Sequence, residues 1–137
     1  MSLTHKTVEF CTLLPPDHAL AGQKTVPLSA LAKENFIFYA EGARMVQLLV
    51  DACNKAGFTP KIAGRSAHME FILELVSQGL GVAVVPHEIH TRLNYGNVAV
   101  VPLPVDDVRC TISIVWRKAH KLSHAANAWL ALSRGQA

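Results

Sequence analysis

Hydrophobic and polar positions change period several times along the chain, and each change marks an element. Val8 to Leu14 (VEFCTLL) is an apolar, β-rich run stopped by Pro15-Pro16, which reads as a strand leaving into a loop. Leu28 to Ala32 predicts one short helical turn, and Phe36 to Tyr39 (FIFY) a compact strand. From Glu41 to about Ala56, Met45, Val46, Leu49, Ala52, Cys53 and Ala56 recur at helical spacing, and Gly57 is placed to cap the helix. Lys61-Ile62-Ala63 is a short strand ending at Gly64-Arg65.

The stretch Ser66–Pro86 (SAHMEFILELVSQGLGVAVVP) carries the strongest pattern. Ser66 is a candidate N-cap. Phe71, Ile72, Leu75 and Val76 make one helical face, with Glu70, Glu74, Ser77 and Gln78 on the other. Gly79 ends the helix, and Gly81 precedes Val82–Val85, a run without polar alternation. Such a run predicts a strand buried on both faces, as in a parallel sheet covered by helices. His87–Leu93 predicts a short helix, Val98–Leu103 a strand whose Pro102 marks an edge or an end, and Ser123 the start of a last helix striped by Ala125, Ala128, Trp129 and Leu132. Cys110–Trp116 alternates, which favours a strand with unequal faces, expected to pair antiparallel with Val8–Leu14. The fold class is therefore α/β, with a mostly parallel sheet flanked by helices. Met-Ser-Leu at the start is set aside as a leader.

Composition narrows the function without naming it. Half of the 137 residues are hydrophobic, enough for one domain with a real core. No apolar run is long enough to span a membrane and no signal-peptide core is visible, so a cytoplasmic location and no membrane partner are expected. The three cysteines, Cys11, Cys53 and Cys110, lie among apolar residues and read as buried reduced thiols, although Cys11 and Cys110 could lie on neighbouring strands. A net charge of +3 is spread along the chain, without the focused patch that nucleic-acid binding needs.

Seven histidines invite a metal hypothesis. His87 and His90, or His120 and His124, have ligand-compatible spacing, but neither pair has a third ligand nearby, so no metal or other cofactor is expected. The G-x-S-x-G elbow is absent, and Gly79 and Gly81 stand in the wrong context for a dinucleotide fingerprint. Glu70 and Glu74 read as solvated, so the chain is expected not to be an enzyme. What remains is geometry: in an open parallel sheet, ligands bind beyond the carboxyl ends of the strands. Those ends are Tyr39–Ala43, Gly64–Ala67 and Val85–His87. Helix starts with Arg44 and Arg65 could hold a carboxylate or similar anion; equally, both arginines could be plain surface residues and Ser66 only a cap.

Taken together, HALAGQKTVPLSALAKENFIFY, the Arg44-led helix to AGFTP, ILELVSQGLGVAVVP and CTISIVWRKAHKLSHAANAWL resemble the effector-binding domain of LysR-type transcriptional regulators. The resemblance covers Glu9 to Leu132 in the family's order. It implies a fold like a type 2 periplasmic-binding protein, in which two lobes joined by crossover strands flank a small-molecule cleft. Residues 8–122 then correspond to the second lobe with both crossover strands, and 123–137 to a helix that packs on the first lobe. The family's winged helix-turn-helix and most of its first lobe have no counterpart here, so DNA contact is expected only through that N-terminal domain. The unpaired stripe of the last helix implies a homo-oligomer or a repacked helix. The expected effector-binding residues are Tyr39, Ala40, Gly42, Ala43, Arg65, Ser66 and Pro86, around a small-molecule effector that the arginine allows to be anionic. A solute-binding protein of a transport system is the alternative on the same fold.

Overall fold

A computed structural model describes residues 2–40, 44–88 and 97–116, with the side chains of 2–6 and 112–116 left undescribed. The expected helices at His87–Leu93 and from Ser123 fall outside these residues, except that His87 and Glu88 have helical backbone. The described elements are β1 (Ser2–Val8), β2 (Phe10–Leu14), a 3-10 turn (Leu28–Leu31), β3 (Asn35–Tyr39), α1 (Arg44–Lys55), β4 (Lys61–Ser66), α2 (Met69–Ser77), β5 (Ala83–Pro86), β6 (Ala99–Pro102) and β7 (Cys110–Trp116).

The chain divides into two compact units, Met1–Val8 with Cys110–Ala137, and Glu9–Arg109. In the first, β1 and β7 form an antiparallel ribbon in register from Ser2↔Trp116 to Val8↔Cys110. This corrects two expectations. The partner of Cys110–Trp116 is Ser2–Val8, not Val8–Leu14, and Ser2 and Leu3, set aside as a leader, are paired residues of that ribbon. The apolar run that looked like one strand is broken at Glu9. Its second half, β2, is buried at every position, and a strand enclosed on both faces belongs in the middle of a sheet.

In the second unit β2 lies between β5 and β6 and runs antiparallel to both. β3 and β4 pair in parallel, and a parallel bridge from Phe36 to Val82 ties β3 to the approach of β5. Two hydrogen bonds secure that bridge: Ile37 N–H to the Val82 carbonyl and Val82 N–H to the Asn35 carbonyl, each 2.8 Å. β3, β4, β5 and β6 thus run in one direction and β2 against them. Both ladders of β2 are antiparallel and, among the described residues, only the β3–β4 ladder is parallel, so the pairing is mixed rather than mostly parallel as the sequence suggests. Among the described residues β6 pairs only with β2, so Pro102, its last residue, closes an edge strand.

One core cluster joins Cys11 and Leu13 of β2, Ile37 of β3, Ala83 and Val85 of β5, and Ile72, Leu73 and Val76 of α2. The buried face of α2 is therefore centred on Leu73 rather than Phe71, which is 54% exposed. Phe36 and Phe38 project from the other side of β3, where their rings meet edge to face at 5.8 Å and Phe36 stacks on Phe58 at 6.0 Å.

The helix-to-strand turn after α2 rests on its two glycines. Gly79, at φ +82°, donates to the Val76 carbonyl, and Leu80 donates to that of Leu75, which satisfies the last carbonyls of the helix. Gly81 serves a different purpose. A Cβ there would lie 2.8 Å from the Asn35 carbonyl oxygen, so only glycine lets the chain pass close enough to β3 for the Val82 bridge.

Polar contacts fix the segment between β2 and β3. His18 Nδ1 accepts the Leu20 N–H at 3.0 Å, so its Nε2 carries the proton and donates to Glu34 at 2.6 Å. Asp107 accepts the Leu28 N–H at 2.7 Å, capping the 3-10 turn from 79 residues away.

Candidate functional site

Because β3, β4 and β5 run in the same direction, their carboxyl ends fall on one edge of the sheet. Tyr39 pairs with Ser66 and Phe38 with Arg65. Pro86 closes β5 opposite Phe10, the first residue of β2. Tyr39, Arg65, Ser66 and Pro86, far apart in sequence, are brought to this edge by topology. Ala40 follows directly and is half-buried. Gly42 and Ala43 lie outside the described residues.

A cavity of about 280 Å³ lies at this edge. Its walls are Ile37, Phe38 and Tyr39 of β3, Val84, Val85 and Pro86 of β5, Met45 and Leu49 of α1, and Met69 and Ile72 of α2. Tyr39 and Pro86 are the expected site residues that line it. The sequence reading placed Met45 and Leu49 on a core-facing stripe and assigned Met69 and Ile72 no part in a site. The one signal for them is position, since Met45 and Met69 stand in the first turns of helices that follow carboxyl ends of strands. The lining is almost wholly hydrocarbon, with the Tyr39 ring contributing the main polar side chain.

Charge stands beside the cavity. The Arg65 guanidinium carbon sits 5.9 Å from the centre of the Phe38 ring, and Nη1 donates to the Tyr39 carbonyl at 3.4 Å. Ser66 is not the N-cap of α2. It is the last residue of β4, and its hydroxyl accepts the His68 N–H at 3.0 Å, while His68 occupies the cap position with no side-chain capping bond. The β-strand runs three residues further than its apolar residues indicate, because pairing with β3 outweighs the weak strand preference of Gly64 and Arg65. A second cavity, about 290 Å³, lies further along the same edge around Glu9, Phe10, His87 and Leu103.

Burial pushes the Cys11 thiol up to about 12 and that of Cys53 to about 11, from an ordinary value of 9.0, so both stay protonated and unreactive at neutral pH. Cys110 is less buried, and all three are free. Among the described residues no three His, Cys, Asp or Glu side chains come together as a metal site, and no helix is long and apolar enough to cross a membrane.

Comparison with known proteins identifies the family. The LysR substrate binding domain model matches residues 6–137. The HTH-type transcriptional regulator YwbI of Bacillus subtilis is 38% identical over 115 residues, 84% of this chain and 38% of its own length. The chain thus spans well under half of that regulator. Among solved structures, the LysR family regulator HinK of Pseudomonas aeruginosa superposes with a TM-score of 0.73 at 26% identity, covering 98% of this chain and 47% of HinK. The effector-binding domain of QuiR in complex with shikimate shares the fold, with a TM-score of 0.74 at 21% identity over 96% of this chain and 63% of that one. The chain belongs to the LysR substrate-binding domain family, whose relatives found here are transcriptional regulators.

Proposed function

We propose that this chain is the effector-sensing part of a LysR-type transcriptional regulator, binding a small molecule at the carboxyl edge of its sheet without catalysing a reaction on it. The observation that carries the reading is the convergence of Tyr39, Ser66 and Pro86 with a cavity of about 280 Å³ at that edge. In an open α/β sheet this is where ligands sit. Tyr39, Ala40, Gly42, Ala43, Arg65, Ser66 and Pro86 are the residues we assign to the effector, with Arg65 as its charge partner. DNA contact belongs to another part of the longer regulator, which works as a homo-oligomer in the cytoplasm. An effector can shift such an assembly only through unequal affinity for its two states.

The test uses the complete regulator and a promoter-reporter assay with its inducer, once a carboxylate library has yielded one by thermal shift. Arg65→Ala and Ser66→Ala should each weaken the response about tenfold while leaving the melting temperature within a few degrees. A wild-type response from both variants would remove these residues from the site.

A further inference from the structure

The walls of the carboxyl-edge cavity say which kind of molecule it accepts. Phe38, Met45, Leu49, Met69, Val84 and Pro86 present carbon and sulfur, and the Arg65 guanidinium lies over the ring of Phe38 rather than among the lining residues. A dry apolar cavity of about 150 Å³ is enough to hold benzene. At about 280 Å³ this one has room for a six-membered ring with a short substituent. We propose that the effector of this chain is an apolar carboxylate: a compact aryl or cycloalkyl group fills the cavity, and its carboxylate remains at the rim beside Arg65.

This rests on the effector-sensing reading above and narrows it. A polyhydroxylated acid of the same size would press hydroxyl groups against walls in which, among the described residues, Tyr39 offers the main polar side chain, at a cost of about tenfold or more in affinity for each hydroxyl left unpaired. Two methionines supply an adaptable surface, because an unbranched thioether side chain changes shape to suit the ring it meets. The guanidinium is held in place by the Phe38 face and the Tyr39 carbonyl, so it is oriented before an anion arrives.

The chain contains three methionines, Met1, Met45 and Met69, and the last two line the cavity. Selective 13C labelling of methionine methyl groups therefore gives a three-signal reporter. Titration with 4-methylbenzoate and cyclohexanecarboxylate should shift the Met45 and Met69 signals saturably and leave Met1 unmoved. Both acids should bind at least tenfold more tightly than shikimate or 2-phosphoglycolate. Met45→Trp, which fills the cavity, should weaken the apolar acids tenfold or more. Leu49→Ala, which widens it, should improve binding of 4-tert-butylbenzoate and keeps the test valid if the tryptophan variant fails to fold. Arg65→Gln should reduce affinity for 4-methylbenzoate about tenfold but leave 4-methylbenzyl alcohol unchanged.

Absence of saturable shifts with both apolar acids up to about 10 mM, tenfold above a Kd of about 1 mM, overturns the proposal. So does tighter binding of shikimate or 2-phosphoglycolate. If either polar acid binds and alters the reporter response of the complete regulator, effector sensing stands and only the apolar class fails. If no small molecule alters that response, the broader reading fails with it.

Discussion

The interior beneath α2 and the cavity at the carboxyl edge are made of the same residue types, yet one is filled and the other open. Cys11, Leu13, Val76 and Ala83 are at most 1% exposed and sit in a closed cluster. Ile37, Ile72 and Val85 belong to that cluster and also form cavity walls, so the same side chains are packed on one side and face a hollow on the other. The difference lies in where the elements stop. β2, β3, β5 and α2 overlap along the middle of the sheet, whereas past Tyr39 and Pro86 the strands end and, among the described residues, the first turns of α1 and α2 border the hollow. Among the described residues the side chains there meet fewer opposing atoms, and so fewer of the dispersion contacts that fill an interior. Hydrophobicity alone therefore does not separate a filled core from an open cavity.

Mutations can sharpen this contrast. The largest effect is expected from Leu13→Ala, which opens a new hole in the filled region and should cost about 2–5 kcal/mol in urea unfolding. Met69→Ala, which only widens an existing hollow, should cost far less. If the two losses are equal, the edge is packed as tightly as the centre.

Alkaline titration probes the same closure through Cys11 and Cys53. Their folded-state values of about 12 and about 11 exceed the ordinary 9.0, so above pH 9 the unfolded chain releases thiol protons while the folded chain retains them. Stability is therefore full below pH 9 and falls as pH rises toward 11–12, by about 1.4 kcal/mol per pH unit for each thiol. Thermal melts between pH 8 and 10.5, with Cys11→Ala and Cys53→Ala as controls, read this slope.

Gly81→Ala should cost about 1–3 kcal/mol, because its Cβ meets backbone rather than a side chain that can move aside. A smaller effect is expected at Thr12, whose hydroxyl is fully buried without a hydrogen-bond partner among the described residues. Thr12→Val should leave stability unchanged or raise it by up to about 1 kcal/mol, since it replaces an unsatisfied group by one of the same shape. A clear loss would mean that the hydroxyl is satisfied in solution.

Much of the second unit was legible in the sequence because its signals are local. The spacing of Val46, Leu49 and Cys53 marked α1, Gly79 marked the end of α2, and the unbroken run before Pro86 marked β5. What the sequence left ambiguous was pairing. Val8–Leu14 reads as one apolar strand, yet the register shows Val8 opposite Cys110 and Phe10 opposite Pro86, so the run serves two units on either side of Glu9. Partner choice depends on which faces other elements cover, and no local pattern encodes that.

The candidate site divides along the same line. Topology brings Tyr39, Arg65, Ser66 and Pro86 to one edge, and knowledge that the strands are parallel was enough to collect them. Ser66 was misread as a helix cap because a serine two residues before His68 makes the same hydroxyl–amide bond in a turn as it would at a cap. The cavity-lining places of Met45 and Met69 were signalled only by their position in the first turns of helices, since a helical stripe looks identical whether it meets a neighbour or a hollow. The sequence by itself determined most elements of the second unit, their order and the α/β class, though not β1, because these follow from period, turn residues and burial of apolar runs. Only the tertiary structure decided which strands pair and where packing stops, because both depend on the relative lengths and positions of elements remote in the chain.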